Sequence, residues 1–185
     1  LEAAARLIRN GATALVSFGL AGGLDPSLRP GLVIVPEVVL SDGEYFRADA
    51  AVAARFGGLT RHCLLAGTTI AKDKETKRTL FATTHAQAID LESGSVARIA
   101  AKHDLPFAVV RAICDPAERD LPAAALLALD QHGAIGFLAV LQSVMRQPSQ
   151  VPALVTLARD AARARRSLRQ LAAAPVEIPR TVPGR

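Results

Sequence analysis

The sequence predicts an α/β fold built on a largely parallel core sheet. Short apolar runs recur at residues 12–18, 32–40, 59–70, 86–91 and 107–114. Segments of helical character alternate with them, the pattern of a sheet covered by helices. The runs are nearly continuous in apolar residues, as strands buried on both faces require. A length of 185 residues fits one domain, large enough to bury roughly 70% of its unfolded surface in a single core.

Each element has a local reason. Residues 2–10 read as a helix closed by Asn10-Gly11. Residues 12–18 form a strand, and Gly19-Leu20-Ala21-Gly22-Gly23-Leu24 a glycine-rich turn after it. Further turns fall at Asp25-Pro26 and Pro30-Gly31. A strand spans 32–40, a polar loop follows at Ser41-Asp42-Gly43, and a helix over 48–56 ends at Gly57-Gly58. Residues 59–70 hold a strand, 72–84 a charged helix or loop, 86–91 a strand, 93–103 a helix and 107–114 a strand. Two long helices are expected near 122–146 and 150–173. The division is an α/β domain over 1–173 and a disordered tail over 174–185, whose last eleven positions contain three prolines.

Composition narrows the function classes. The net charge is +5, but seven arginines against two acids in residues 159–185 account for all of it. The rest of the chain is formally neutral, so a nucleic-acid-binding face across the body is not supported. Tryptophan is absent and aromatics make up 4%, too few to build stacking platforms for bases. Cys63 and Cys114 each sit in an apolar run, which favours buried free thiols over a disulfide or a metal pair. The four histidines show no ligand spacing, and no metal is expected. No run is long and apolar enough to span a membrane.

Two acidic segments carry the chemistry. Asp90-Leu91-Glu92-Ser93 joins a strand to a helix, and Asp115 ends the next strand. Both fall at carboxyl ends of strands, where open α/β sheets bind ligands. Glu92 reads as an acid in a helix's first turn, favoured by the macrodipole, or as a carboxylate accepting hydrogen bonds from vicinal sugar hydroxyls. Strand alternation points Asp90 the same way as Glu92. Asp115 precedes Pro116 and reads equally as a turn or cap residue or as a general acid whose proton partial burial would retain. Arg111 reads as a structural partner for an acid. The Gly19–Gly23 stretch does not match a dinucleotide loop; a close backbone approach to ligand and a simple turn are both open.

Taken together, these segments resemble the nucleoside phosphorylase superfamily, and within it the methylthioadenosine/S-adenosylhomocysteine nucleosidases. Val16-Ser17-Phe18-Gly19-Leu20-Ala21-Gly22-Gly23-Leu24, Ile89-Asp90-Leu91-Glu92-Ser93 and the stretch from Pro106 to Asp115 carry the likeness, over roughly residues 1–145. The finer texture of Ser17 to Pro26 and of Asp90 to Gly94 is similar to the hopanoid-associated phosphorylase group, linked to removal of adenine from adenosylhopane. The resemblance implies a three-layer phosphorylase-type fold with a mixed, largely parallel central sheet, here without the N-terminal strands that supply the family's general base. It implies cleavage of the N-glycosidic bond of an adenosine-type nucleoside, with Asp115 protonating adenine at N7 as a ribosyl cation forms. Glu92 would bind the ribose hydroxyls, Leu91 would pack on the sugar, and Asp90 would order the nucleophile side. Gly19, Ala21, Gly22 and Ile70 complete the implied substrate-binding set.

Two departures bear on the nucleophile. Leu20 stands where many relatives place Ser or Thr, and Ser17 where the phosphate-dependent hexamers place Arg. Both weaken phosphate binding and favour water, although phosphate stays open as a co-substrate; no other cofactor is expected. The alternatives are a generic methylthioadenosine-type nucleosidase and a non-catalytic nucleoside-binding remnant. A homodimer in the cytoplasm is expected from the resemblance. Leu154, Leu157, Ala161, Ala164, Leu168 and Leu171 recur at helical spacing, with Arg159, Arg163, Arg166 and Arg169 mainly off that stripe. This reads as a surface helix packed on the sheet, or as a weak contact with anionic lipid at the inner membrane.

Overall fold

The computed structural model describes residues 2–123, 125 and 147–174. In chain order the elements are α1 (Glu2–Arg9), β1 (Leu15–Gly23), β2 (Val33–Ile34), β3 (Pro36–Ser41), β4 (Glu44–Arg47), α2 (Ala50–Ala54) and β5 (Thr60–Ala66). They continue as α3 (Lys74–Thr84), β6 (Ala88–Asp90), α4 (Ser93–Lys102), β7 (Phe107–Asp115), a 3₁₀ turn (Pro148–Gln150) and α5 (Val151–Ala173). Seven strands form one mixed sheet in the order β2-β7-β1-β6-β5-β3-β4. The parallel ladders β1·β7, β3·β5 and β5·β6 make its body. Antiparallel pairs sit at both edges and at the β1·β6 junction.

Strand β7 shows why the core is two-sided. Successive side chains point to opposite faces. Phe107, Val109 and Ile113 join Leu15, Leu64, Ala97 and Ala100 on the face covered by α1 and α4. Ala108, Val110 and Ala112 join Ala53, Ala164 and Leu168 on the face covered by α2 and α5. Burying each of the larger of these side chains contributes about 1.5–3 kcal/mol. The expected packing of the last helix on the sheet is therefore present, in its C-terminal half. There the stem of Arg163 lies over Gly31, whose φ of +91° is left-handed; a Cβ at that position would meet Arg163 Cγ at 2.7 Å.

Several expected boundaries change. The glycine-rich segment after Phe18 is not a turn. Strand β1 runs on through Gly23, because Gly22 pairs with Asp115 on one side and Ile89 on the other. The strand expected over 32–40 is split into β2 and β3, which pair with different partners. Asp42 and Gly43, with φ of 51° and 81°, make the two-residue turn that links β3 to β4, a strand the pattern did not reveal. The charged segment 72–84 resolves as a helix, since the Asp73 side chain accepts from the Thr76 N–H at 2.7 Å and caps it. The helix expected near 122–146 and the tail beyond residue 174 lie outside the described residues, apart from 122, 123 and 125.

One packing detail places the site. Gly94, in the first turn of α4, lies so close to the sheet that a Cβ would collide with Ser41 Oγ and come within 2.8 Å of Ala66 Cβ. That approach seats the helix start, and with it Glu92, at the end of β6.

Candidate active site

The carboxyl ends of β6 and β7 converge on the same stretch of β1 from opposite directions. Gly22 pairs with Ile89 in an antiparallel ladder and, beyond a bulge after Ala21, with Asp115 in a parallel one. At this junction opens a cavity of about 580 Å³. Leu20, Ala21 and Gly22 form its floor, Ile89 to Glu92 one wall, and Cys114 and Asp115 the other. Thr69, Ile70 and Ala71 close a third side, and Leu154, Leu157, Ala158 and Ala161 of α5 a fourth. Those four residues follow i, i+3, i+4, i+7 spacing, so one stripe of α5 serves the cavity before the helix reaches the sheet. The volume lies within the range of small-molecule sites.

Asp115 is buried, its side chain 8% exposed. Its Oδ2 accepts from Lys77 Nζ at 2.5 Å; its Oδ1 is buried with no hydrogen-bond partner. Burial pushes the carboxyl above its ordinary range, and the Lys77 ammonium pulls against that. Among the described residues the Asp115 side chain accepts a hydrogen bond from Lys77 and from no backbone N–H, which is not the pattern of a cap or turn residue. Next to it, burial pushes the Cys114 thiol up to about 11. Cys114 is thus a neutral, apolar part of the wall rather than a nucleophile. Both cysteines are free.

Glu92 presents the opposite environment. It occupies the N-cap position of α4, yet its side chain makes no cap hydrogen bond, and that side chain is 72% exposed. Capping falls to Asp90, whose carboxylate accepts from the Ser93 N–H at 3.3 Å and from Ser93 Oγ at 2.6 Å. Leu91, half-exposed, stands between them on the cavity wall.

Asp90 and Glu92 approach the same guanidinium but differ in burial: the Asp90 carboxylate is buried on Arg111, with Nε at 2.6 Å and Nη2 at 2.5 Å from Oδ2, while the exposed Glu92 carboxylate stands 3.9 Å from that Nη2. Gly19, expected in the substrate-binding set, stands apart from the cavity. It is not in the cavity wall, and a Cβ there would stand 3.1 Å from Arg111 Nη1; the missing side chain leaves room for the guanidinium. Arg111 also donates to Ser17 Oγ at 2.7 Å and Ser93 Oγ at 3.0 Å, which makes it the acid's structural partner that the sequence suggested.

Sequence reasoning missed Lys77, Thr69 and the α5 residues of the wall. A signal existed for Lys77: it precedes Leu80 and Phe81 by three and four residues, which puts it on the inward stripe of α3. Among the described residues no cluster of His, Cys, Asp or Glu is placed to hold a metal. No described helix is long and apolar enough to cross a membrane.

A mixed seven-stranded sheet, curled around a cavity at converging strand ends, is the nucleosidase fold. No protein-family model matches the chain, and no curated protein matches it by sequence. Solved structures do match. A proposed methylthioadenosine nucleosidase from Weissella paramesenteroides is 26% identical, with a TM-score of 0.59 over 63% of this chain and 64% of that one. A 5′-methylthioadenosine/S-adenosylhomocysteine nucleosidase from Colwellia psychrerythraea, solved with adenine, is 24% identical, with a TM-score of 0.56 over 63% and 60%. Futalosine hydrolase of Helicobacter pylori is 17% identical, with a TM-score of 0.62 over 92% and 72%. The matched region spans less than two thirds of the Weissella and Colwellia proteins.

Proposed function

We propose that the cavity binds an adenosine-type nucleoside and that the protein cleaves its N-glycosidic bond, releasing adenine. One observation carries this reading: Glu92 and Asp115 line the same cavity, and Asp115 Oδ1 is buried without a hydrogen-bond partner. Asp115, whose burial favours the protonated form, delivers a proton to N7 as the C1′–N9 electron pair passes to the base. The exposed Glu92 carboxylate accepts the two ribose hydroxyls, and its charge favours the ribosyl cation. Leu91 and Ile70 pack on the nucleoside, while Ala21 and Gly22 let the β1 backbone come close. Water then adds its oxygen to C1′ and releases a proton. Leu20 offers no hydrogen bond to phosphate, which favours water over phosphorolysis.

The finer reading is a substrate with a large apolar 5′ substituent, adenosylhopane. Leu154, Leu157, Ala158 and Ala161 support it, since they extend the cavity with apolar surface. A methylthioadenosine-type substrate is the second reading, favoured by the solved structures that share the fold. The exposed arginines Arg159, Arg166 and Arg169 on α5 would let the protein collect a lipid-borne substrate at an anionic membrane surface, working as a homodimer. Adenine release, measured with adenosylhopane and methylthioadenosine side by side and with or without phosphate, tests the reading. Release from the apolar substrate without phosphate supports it. Binding without release of adenine would leave a nucleoside-binding protein instead. Vesicle co-sedimentation unchanged after Arg159, Arg166 and Arg169 become Gln would end the membrane part, and a monomer in sedimentation would end the dimer.

A further inference from the structure

We propose that Lys77 is a positioning residue that fixes which oxygen of Asp115 carries the transferable proton. The proposal rests on the reading of Asp115 as the acid and adds a second residue to it.

The Lys77 side chain is 1% exposed, buried as deeply as that of Asp90 at the same cavity. An ammonium has three N–H donors and no acceptor. All three find partners at once: Asp115 Oδ2 at 2.5 Å, the Pro116 carbonyl at 3.0 Å and the Arg119 carbonyl at 2.7 Å. Facing a group that only donates, Oδ2 can act only as an acceptor. A proton on Oδ2 would weaken its acceptance from the ammonium, because a hydroxyl oxygen is a poorer acceptor than a carbonyl oxygen; the proton that Asp115 takes up is therefore favoured on Oδ1, the oxygen with no protein partner. A carboxylic acid without this clamp could carry its proton on either oxygen.

The clamp also fixes the loop after β7. The Asp120 side chain accepts from the Lys74 N–H at 2.8 Å, and the Leu121 N–H donates to the Lys72 carbonyl at 2.8 Å. Arg119 Nη1 reaches Asp160 Oδ2 of α5 at 2.5 Å. The turn that carries the acid is thus held from both α3 and α5. The charged groups around Asp115 are Lys77 from α3, Arg119 from its own loop and Asp160 from α5. Arg165 of α5, with Asp90 and Glu92, lines the cavity. Among these, Lys77 and Arg119 oppose protonation, and Asp160 favours it. Lys77 is in direct contact, so its removal has the largest effect.

The sign follows. A cation beside a carboxyl favours its ionised form and lowers its pKa. Removing Lys77 moves the Asp115 titration, and the alkaline limb of the rate profile that depends on a protonated Asp115, to higher pH. Two measurements on Lys77→Met separate this inference from the functional reading. The first follows the Asp115 carboxyl carbon by NMR in protein labelled with ¹³C-aspartate, and needs no turnover. The second follows adenine release from methylthioadenosine against pH. The expected result is a titration midpoint at higher pH, with kcat lower by about 100-fold and KM little changed. Lys77→Arg, which keeps the charge, should return the midpoint to its wild-type position. Should the Met variant not fold, Lys77→Gln serves the same purpose, since its amide still donates to the loop carbonyls. An unmoved midpoint in a folded neutral variant overturns the proposal. Full turnover in Asp115→Asn would instead remove the acid assignment and leave the NMR result to decide Lys77 alone.

Discussion

The two walls of the cavity place similar carboxyl groups in opposite surroundings. Asp115 ends a strand whose every other residue but one is buried, and it is shielded from water with one oxygen clamped by Lys77. Glu92 begins a helix at the rim, its side chain open to solvent and 3.9 Å from the nearest guanidinium nitrogen of Arg111. Pairs of acids whose environments differ in this way divide labour: the buried one holds a proton, and the wet one accepts hydrogen bonds. Position in the fold, rather than residue type, sets the two environments on which the proposed roles rest.

The comparison can be broken most severely at the buried wall. Asp115→Asn keeps the shape but cannot supply a proton, and turnover should fall by about 1,000-fold while adenine still binds in calorimetry. Near-normal adenine release would remove Asp115 from the mechanism. The wild-type rate should also decline as pH rises through the Asp115 pKa, because the acid works only while protonated. Burial raises that pKa, so activity should persist above the range where an ordinary aspartic acid is protonated.

The exposed wall should respond differently. Glu92→Gln loses charge-assisted acceptance of two hydroxyls, and kcat/KM should drop by about 10–100-fold. The signature is selectivity: the variant should discriminate poorly between a ribonucleoside and its 2′-deoxy counterpart. Equal loss on both substrates would place the ribose elsewhere. A smaller effect is expected from Leu157→Asp on α5. It should weaken binding of a substrate with a long apolar 5′ substituent by about tenfold and leave methylthioadenosine almost unaffected. Smallest is Gly94→Ala, which forces a Cβ against Ser41 and Ala66. It should cost about 1–3 kcal/mol in urea denaturation, and an unchanged midpoint would show that α4 can shift without penalty.

The two walls also differ in how far the sequence revealed them. Asp115 was legible because an apolar run ends on an acid followed by proline, which marks a buried strand and its exit. Glu92 was legible from its place between a strand and a helix. The burial of Asp90 on Arg111 was not, because that partner reaches it from β7 rather than from a neighbour in sequence. The glycines after Phe18 read as a turn because their composition is that of a turn; only pairing with both Ile89 and Asp115 makes them a strand. Gly19 lies off the cavity, with the Arg111 guanidinium beside it, a neighbour that the local sequence does not announce. Lys77 stood in a run with Lys72, Lys74 and Arg78, where charge alone favours a solvated face. Its inward direction depends on the register of α3, which Leu80 and Phe81 set. The contribution of α5 to the cavity depends on where that helix lies against the sheet, which no local pattern encodes.

The most direct test is a crystal structure of the protein with adenosine or a non-cleavable adenosine analogue. The account predicts one ligand spanning both walls, with its N7 about 2.6–3.2 Å from Asp115 Oδ1 and its ribose hydroxyls on the Glu92 carboxylate. A ligand that touches only one of the two acids, or binds outside the cavity, would contradict it.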